Sequence, residues 1–209
     1  MEMCDVLLRG KHYFRKHGFE KTASRLCTEL KRRVLFHREV VYWMDLLNWV
    51  PVSDSITGAP VVLSIHSAAD TPEGLRASLA EEYPPQIVNR NIDNRFKQSA
   101  TLWCLKDGSE FLGYTWTIAG KTLVPYYLPI TPRDVHIFDN LIFPSYRGRH
   151  LNSNLMTHVL NALKSAGFQR AYIETAEWNT PEQRSLDRIG FRRLGYAMRW
   201  RRNGRTLSV

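Results

Sequence analysis

Residues 145–156, SYRGRHLNSNLM, run from a cation-rich turn straight into a helix. The apolar stretch before them, DVHIFDNLIF (134–143), has the character of a strand and stops at Pro144. After them Leu151, Leu155, Val159 and Leu163 recur at four-residue spacing, which predicts a helix over 149–166 terminated by Gly167. A strand-to-helix junction of this kind presents backbone N–H groups and the positive end of a helix dipole, about half a unit charge. Arg147 and Arg149 add whole charges. On spacing alone the junction is an anion site or a plain turn with exposed arginines.

Downstream, AYIETA (171–176) reads as a strand, TPEQRSLDRI (180–189) as a short helix and RRLGYAMRW (192–200) as a strand. Strand, helix, strand, helix, strand implies helices packed on a sheet with at least one parallel pair. Upstream, VVLSIH (61–66) predicts a strand, and 71–83 and 86–97 predict helices. Two further strands, 99–107 and 110–118, are joined by the turn signal Asp107-Gly108. The segment KTLVPYYLPI (121–130) is an edge strand or a lining loop, because its prolines cannot donate to a ladder. Residues 1–38 look helical, with Leu26, Leu30 and Val34 as the stripe, and VPVSDSITGAP (50–60) reads as a linker. The expected organisation is a helical extension over 1–55 followed by one domain over 56–209.

The chain of 209 residues is long enough for a real core, and 44% apolar residues exclude a disordered composition. No apolar run approaches the roughly 18 residues that span a bilayer, and the start does not read as a signal peptide, so a cytoplasmic protein is the expectation. Cys4, Cys27 and Cys104 lack disulfide or zinc spacing, and no metal site is expected. A net charge of +9 attracts anions of any kind: phosphorylated cofactors, nucleic acid or acidic surfaces. Without a helix-turn-helix or RNP-type motif, nucleic acid is disfavoured. The basic N-terminal helix is left as a packing helix, a homodimer arm or a dock for an anionic partner.

The order of elements from 134 to 195 resembles the GNAT superfamily of acyl-CoA N-acyltransferases, and the resemblance extends over residues 61–200. Pro144, Tyr146, Arg147 and Gly148 match the P-x-Y-R-G run common in that family's pyrophosphate loop. Asn179 matches its asparagine after the fifth strand, and Gly190-Phe191 its terminal GF. The resemblance implies an α/β (α+β) fold: a mixed, mostly antiparallel sheet flanked by helices, with one splayed parallel strand pair. It implies acetyl-CoA or another acyl-CoA as cofactor, held by Arg147, Gly148, Arg149, His150, Leu151, Asn152 and Ser153 at the diphosphate. The pantetheine arm would lie along Asn140, Leu141 and Ile142, with Asn179 bridging the splayed strands or the arm.

Two family glycines are replaced, by His150 and Asn152. Where a left-handed backbone is required, a Cβ costs roughly 1–2 kcal/mol, less for Asn and His; in a helix that cost nearly vanishes. Each charge-assisted bond to phosphate contributes roughly 1.5–3 kcal/mol, and backbone N–H groups come with any residue. The balance favours a loop that still binds.

By the same resemblance Glu174, five residues before Asn179, is the first choice for the base that deprotonates an amine, with Glu177, Asp139 and His136 as rivals. The tyrosine that serves relatives as an acid falls at Leu186, which leaves Tyr126, Tyr127, Tyr172, Tyr196 or no residue in that role. The implied function is acyl transfer to a small-molecule or peptide amine by direct attack, with an acyl carrier protein as another acyl source. The alternative is a catalytically degenerate module that binds CoA, an acyl carrier or a partner.

Overall fold

The computed structural model describes residues 8–16, 18–23, 27, 38–50, 60–199 and 205–208. Among the described residues eight strands form one sheet: β1 (Arg38–Asp45), β2 (Val61–Ile65), β3 (Thr101–Asp107), β4 (Glu110–Ala119), β5 (Asp134–Ile142), β6 (Arg170–Ala176), β7 (Arg192–Arg199) and β8 (Arg205–Ser208). Their spatial order is β2-β3-β4-β5-β6-β1-β7-β8. Every neighbouring pair is antiparallel except β5 and β6. The mixed, mostly antiparallel sheet is the one expected.

Helices α1 (Glu73–Glu82) and α2 (Pro85–Lys97) cover one face, and α3 (Leu151–Ser165) and α4 (Thr180–Ile189) the other. The apolar stripe foreseen on α3 is buried: Leu155 and Val159 are fully enclosed, against Val40, Tyr42, Val135 and Ile173 of the sheet. Leu75 and Leu79 of α1 and Val88 and Ile92 of α2 pack on Leu102, Cys104, Tyr114 and Trp116. Burying one such side chain contributes roughly 1.5–3 kcal/mol, so both layers are held mainly by apolar area. Among the described residues no helix is long and apolar enough to cross a membrane.

Two differences from the sequence expectation, and one choice that it left open, bear on the site. The first is β1, which lies within the expected N-terminal extension and yet sits between β6 and β7 at the heart of the sheet. Its run VVYWM is enclosed on both faces, so it shows no alternation to mark it as a strand. A division at residue 55 therefore does not separate the sheet from what precedes it. The second is the segment 121–130, which forms no strand and takes the lining-loop alternative. The third is β8, which pairs with β7 and was not foreseen. Residues 8–16 and 18–23 are helical and reach α1 through Lys16, whose Nζ donates to the Glu81 carbonyl at 2.9 Å. The Leu26, Leu30 and Val34 stripe and most of the 50–60 linker lie outside the described residues.

Candidate active site

The site begins with a bulge. Tyr114 pairs with Leu141 and Trp116 with Phe138, so Thr115 of β4 faces two residues of β5, Asp139 and Asn140. Asp139 takes up the extra residue with a left-handed backbone, φ 51°. A bulge bends and twists its strand, and β5 accordingly leaves β6: the parallel pairing covers only Asp134↔Arg170 to His136↔Tyr172. Beyond it the two strands splay, and Asn140, Leu141 and Ile142 line the β5 side of the gap. Asp139 is fixed elsewhere, 2.6 Å from Arg95 of α2, whose guanidinium also lies over the Trp116 and Phe138 rings. That pairing removes Asp139 from consideration as a base.

At the mouth of the gap the chain makes a single 3₁₀ turn, Pro144–Tyr146, then passes Arg147 and Gly148 (φ 80°) into α3. A side chain at Gly148 would meet open space, so this glycine serves the backbone angle and not a tight fit. His150 is the N-cap and is itself left-handed, φ 56° and ψ 15°. Asn152 is in the first turn of the helix. The first lost glycine thus keeps the glycine-like conformation, and the second needs none.

No side chain caps α3 at His150. The His150 Nδ1 accepts from Arg188 at 2.9 Å, which joins a cation from α4 to Arg147 and Arg149 around the junction. Arg147 Nε donates to the Ile142 carbonyl at 3.1 Å, and Arg149 lies over the Tyr146 ring. Leu151 and Ser153 occupy the first turn beside Asn152.

Carboxamides cross the gap itself. Asn140 Nδ2 donates to Asn152 Oδ1 (2.8 Å) and to Glu182 Oε1 (2.9 Å), and Asn152 Nδ2 donates to Ser185 Oγ (2.9 Å). Asn179 stays on the β6 side, donating to Thr175 Oγ1 at 3.2 Å. It reaches β5 only through Glu182, which also accepts from it. Burial raises the Glu182 pKa, opposed by the hydrogen bonds from Asn140 and Asn179. Asn140 Oδ1 is buried with no hydrogen-bond partner, a state that costs roughly 1–3 kcal/mol until a donor arrives.

On the α1/α2 face, where the strands begin to part, polar groups converge. His136 and Phe138 of β5, Tyr172 and Glu174 of β6, and Glu39 of β1 share that face by register and alternation. His136 Nε2 lies 2.8 Å from Glu174 Oε2, with side-chain exposures of 6% and 18%. A carboxylate only accepts, so Nε2 donates to it; Nδ1 is buried and has no hydrogen-bond partner. The loop between β4 and β5 closes over this pair. Tyr126 donates to Glu174 Oε2 at 2.9 Å, and Tyr127 donates to Glu39. Burial, then the Glu174 charge, push the Tyr126 phenol far above its ordinary pKa, so it remains a neutral donor.

The structure therefore gathers Glu174, His136 and Tyr126 in one cluster, apart from Asp139 and Glu177. Glu177 pairs with Arg38 at 3.5 Å, and Leu186 is fully buried against α3 and the sheet. Tyr196 lies under Arg38, whereas Tyr172 stands 6.5 Å from the Tyr126 ring. Sequence reasoning missed Glu39, Glu182, Ser185 and Arg188. Glu39 went with its unrecognised strand; the other three sit on α4 at the spacing of one helix face, a signal that was available.

Comparison with known proteins agrees with the fold. The sequence profile of the acetyltransferase (GNAT) family matches residues 65–191. No curated protein matches the chain. Similar solved structures include a GCN5-related N-acetyltransferase from Sphaerobacter thermophilus, at 16% identity and TM-score 0.53, covering 85% of this chain and 54% of that one. A GNAT-family acetyltransferase from Colwellia psychrerythraea has 10% identity and TM-score 0.54, with 76% and 53% covered. A tandem GNAT protein from the clavulanic acid biosynthesis pathway has 15% identity and TM-score 0.54, with 75% and 50% covered. The chain spans about half the length of each of these three, and at such identities the likeness is one of fold.

Proposed function

From the premise that the chain belongs to the acetyltransferase (GNAT) family, we propose that it moves an acyl group from an acyl-CoA, acetyl-CoA foremost, to an amine by direct attack. The acyl-CoA supplies the activated thioester carbon. The residues present suit such a ligand: Asn140 Oδ1 lacks a donor in the gap, as an amide N–H of pantetheine would be. The uncapped start of α3, with Arg147, Arg149 and Arg188 around it, suits a diphosphate. The left-handed backbone at His150 carries this reading, because it gives the loop a glycine-like turn without a glycine.

Glu174 takes the acceptor's proton. An ammonium with a pKa near 10.4 costs about 4–5 kcal/mol to deprotonate at pH 7, and a positioned carboxylate relieves part of that. His136 and Tyr126 hold the carboxylate in place by donating to the same oxygen. A covalent acyl intermediate on Cys104 is disfavoured, because this residue is buried in the α1/α2 core, where desolvation pushes its thiol up to about 12.

The test is thermal unfolding with CoA, acetyl-CoA and longer acyl-CoAs, followed by thiol release with a panel of amines. Stabilisation with turnover is expected. Stabilisation without turnover on any amine supports a binding module instead, and absence of stabilisation removes both.

A further inference from the structure

A cavity of about 110 Å³ lies between the α1/α2 layer and the bulged part of the sheet. Its walls are Leu79 of α1, Val88 and Ile92 of α2, and Tyr114 and Trp116 of β4, all buried. Asp139, the bulge residue, also lines it, together with Arg95 and, from the N-terminal segment, Arg9. Arg95 is paired with Asp139, and Arg9 stands 5.6 Å from the centre of the Tyr83 ring. Two guanidinium groups to one carboxylate repel an ammonium, so the cavity suits a neutral apolar group and not a cationic acceptor.

This cavity is one residue away from the gap that suits the pantetheine arm. Around the bulge the side chains of β5 part company. Asn140 reaches α3 and α4 through Asn152 and Glu182, whereas Asp139 reaches α2 and Leu141 packs with the α1/α2 core. An arm lying in the plane of the sheet along Asn140–Ile142 must turn its acyl group towards one face. The α3/α4 face is closed by the Asn140 contacts and by Leu155, Met156 and Val159, which are fully enclosed. The α1/α2 face holds both Glu174 and the cavity.

We propose that the cavity receives the donor's acyl chain beyond its second carbon, so that propionyl and butyryl groups fit as well as acetyl. An apolar cavity of about 150 Å³ holds benzene, with its six carbons, so about 110 Å³ has room for the two further carbons of butyryl. The inference rests on the acyltransferase reading and names the length of the acyl group.

The test uses the full chain with acetyl-, propionyl- and butyryl-CoA. Binding is followed by titration calorimetry without acceptor, and thiol release with a panel of amines. Each buried methylene is worth about fourfold, so butyryl-CoA is expected to bind about tenfold more tightly than acetyl-CoA, with propionyl-CoA between them. Filling the cavity from either helix, by Ile92→Phe or Leu79→Phe, should erase the difference. Butyryl-CoA that binds no more tightly than acetyl-CoA to the wild-type chain overturns the proposal without recourse to any variant, as does a preference that survives both substitutions. Tighter butyryl-CoA binding without thiol release from any amine keeps this inference and removes the transferase reading. Thiol release from acetyl-CoA with equal or weaker binding of butyryl-CoA does the reverse, and failure of all three donors to bind removes both.

Discussion

Restoring the two family glycines one at a time should have unequal consequences, because the two positions differ in backbone and in partners. His150 is left-handed and exposed, with one side-chain hydrogen bond, to Arg188. Replacing it with Gly relieves a Cβ strain of about 1 kcal/mol and adds unfolded-chain freedom of about 0.5–1 kcal/mol, so the net change is close to zero. Asn152 is helical and makes two part-buried hydrogen bonds, with Asn140 and Ser185. Its replacement by Gly loses those two bonds, at about 0.5–1.5 kcal/mol each, together with a few tenths in helix propensity. The sum is about 1.5–3 kcal/mol. For a chain of this size 1 kcal/mol moves Tm by about 2–4 °C. His150→Gly should therefore unfold within about 2 °C of wild type, and Asn152→Gly about 3–12 °C lower, by scanning calorimetry. His150→Ala keeps the strain, loses the Arg188 bond, and should fall below His150→Gly. An Asn152→Gly chain as stable as wild type, or a His150→Gly chain as impaired as Asn152→Gly, would refute the reasoning.

Glu174→Gln keeps an oxygen for Tyr126 and His136 but cannot take a proton; turnover should drop by about 10²–10⁴ with acyl-CoA binding retained, and activity within a few-fold of wild type removes Glu174 as base. Glu182 has a folded-state pKa raised above 4.5, so the native state holds its proton more tightly, and the stability it contributes is greatest below that value and declines as pH rises through the folded one. Glu182→Gln should flatten this decline and raise Tm at neutral pH; melting curves that stay parallel between pH 4 and 7 contradict it. Ala at Gly113 would put a Cβ 2.5 Å from the Leu141 carbonyl oxygen and 2.6 Å from Ile142 Cδ1, displacing the strand that lines the gap. A loss of about 1–3 kcal/mol in denaturant unfolding is expected, with weaker CoA binding; unchanged CoA affinity would show that 141–142 is not part of its site.

The second half of the fold was legible because its signals are local. The stripe on α3, the turn at Gly148 and the Pro181 helix start each need only a few neighbours to interpret. β1 was hidden for the opposite reason: its environment is made by β6 and β7, far away in the chain, so a doubly buried run carries no period. The same holds within the site. Glu174 and the junction residues could be aligned to a known pattern, whereas Glu39 and the Asn140–Glu182 contact exist only once β1, β5 and α4 are side by side. The bulge at Asp139 is invisible in sequence, since nothing in FDNLI marks a left-handed aspartate. Tyr126 was one of four equal candidates until the loop placed its hydroxyl on Glu174.

The most direct trial is a crystal structure of the chain grown with CoA. Diphosphate density against the backbone N–H groups of 148–152, with the arm running along Asn140–Ile142 and a donor on Asn140 Oδ1, is the predicted result. CoA absent or bound elsewhere, with the Asn140, Asn152 and Glu182 contacts still closing the space between β5 and β6, would contradict it.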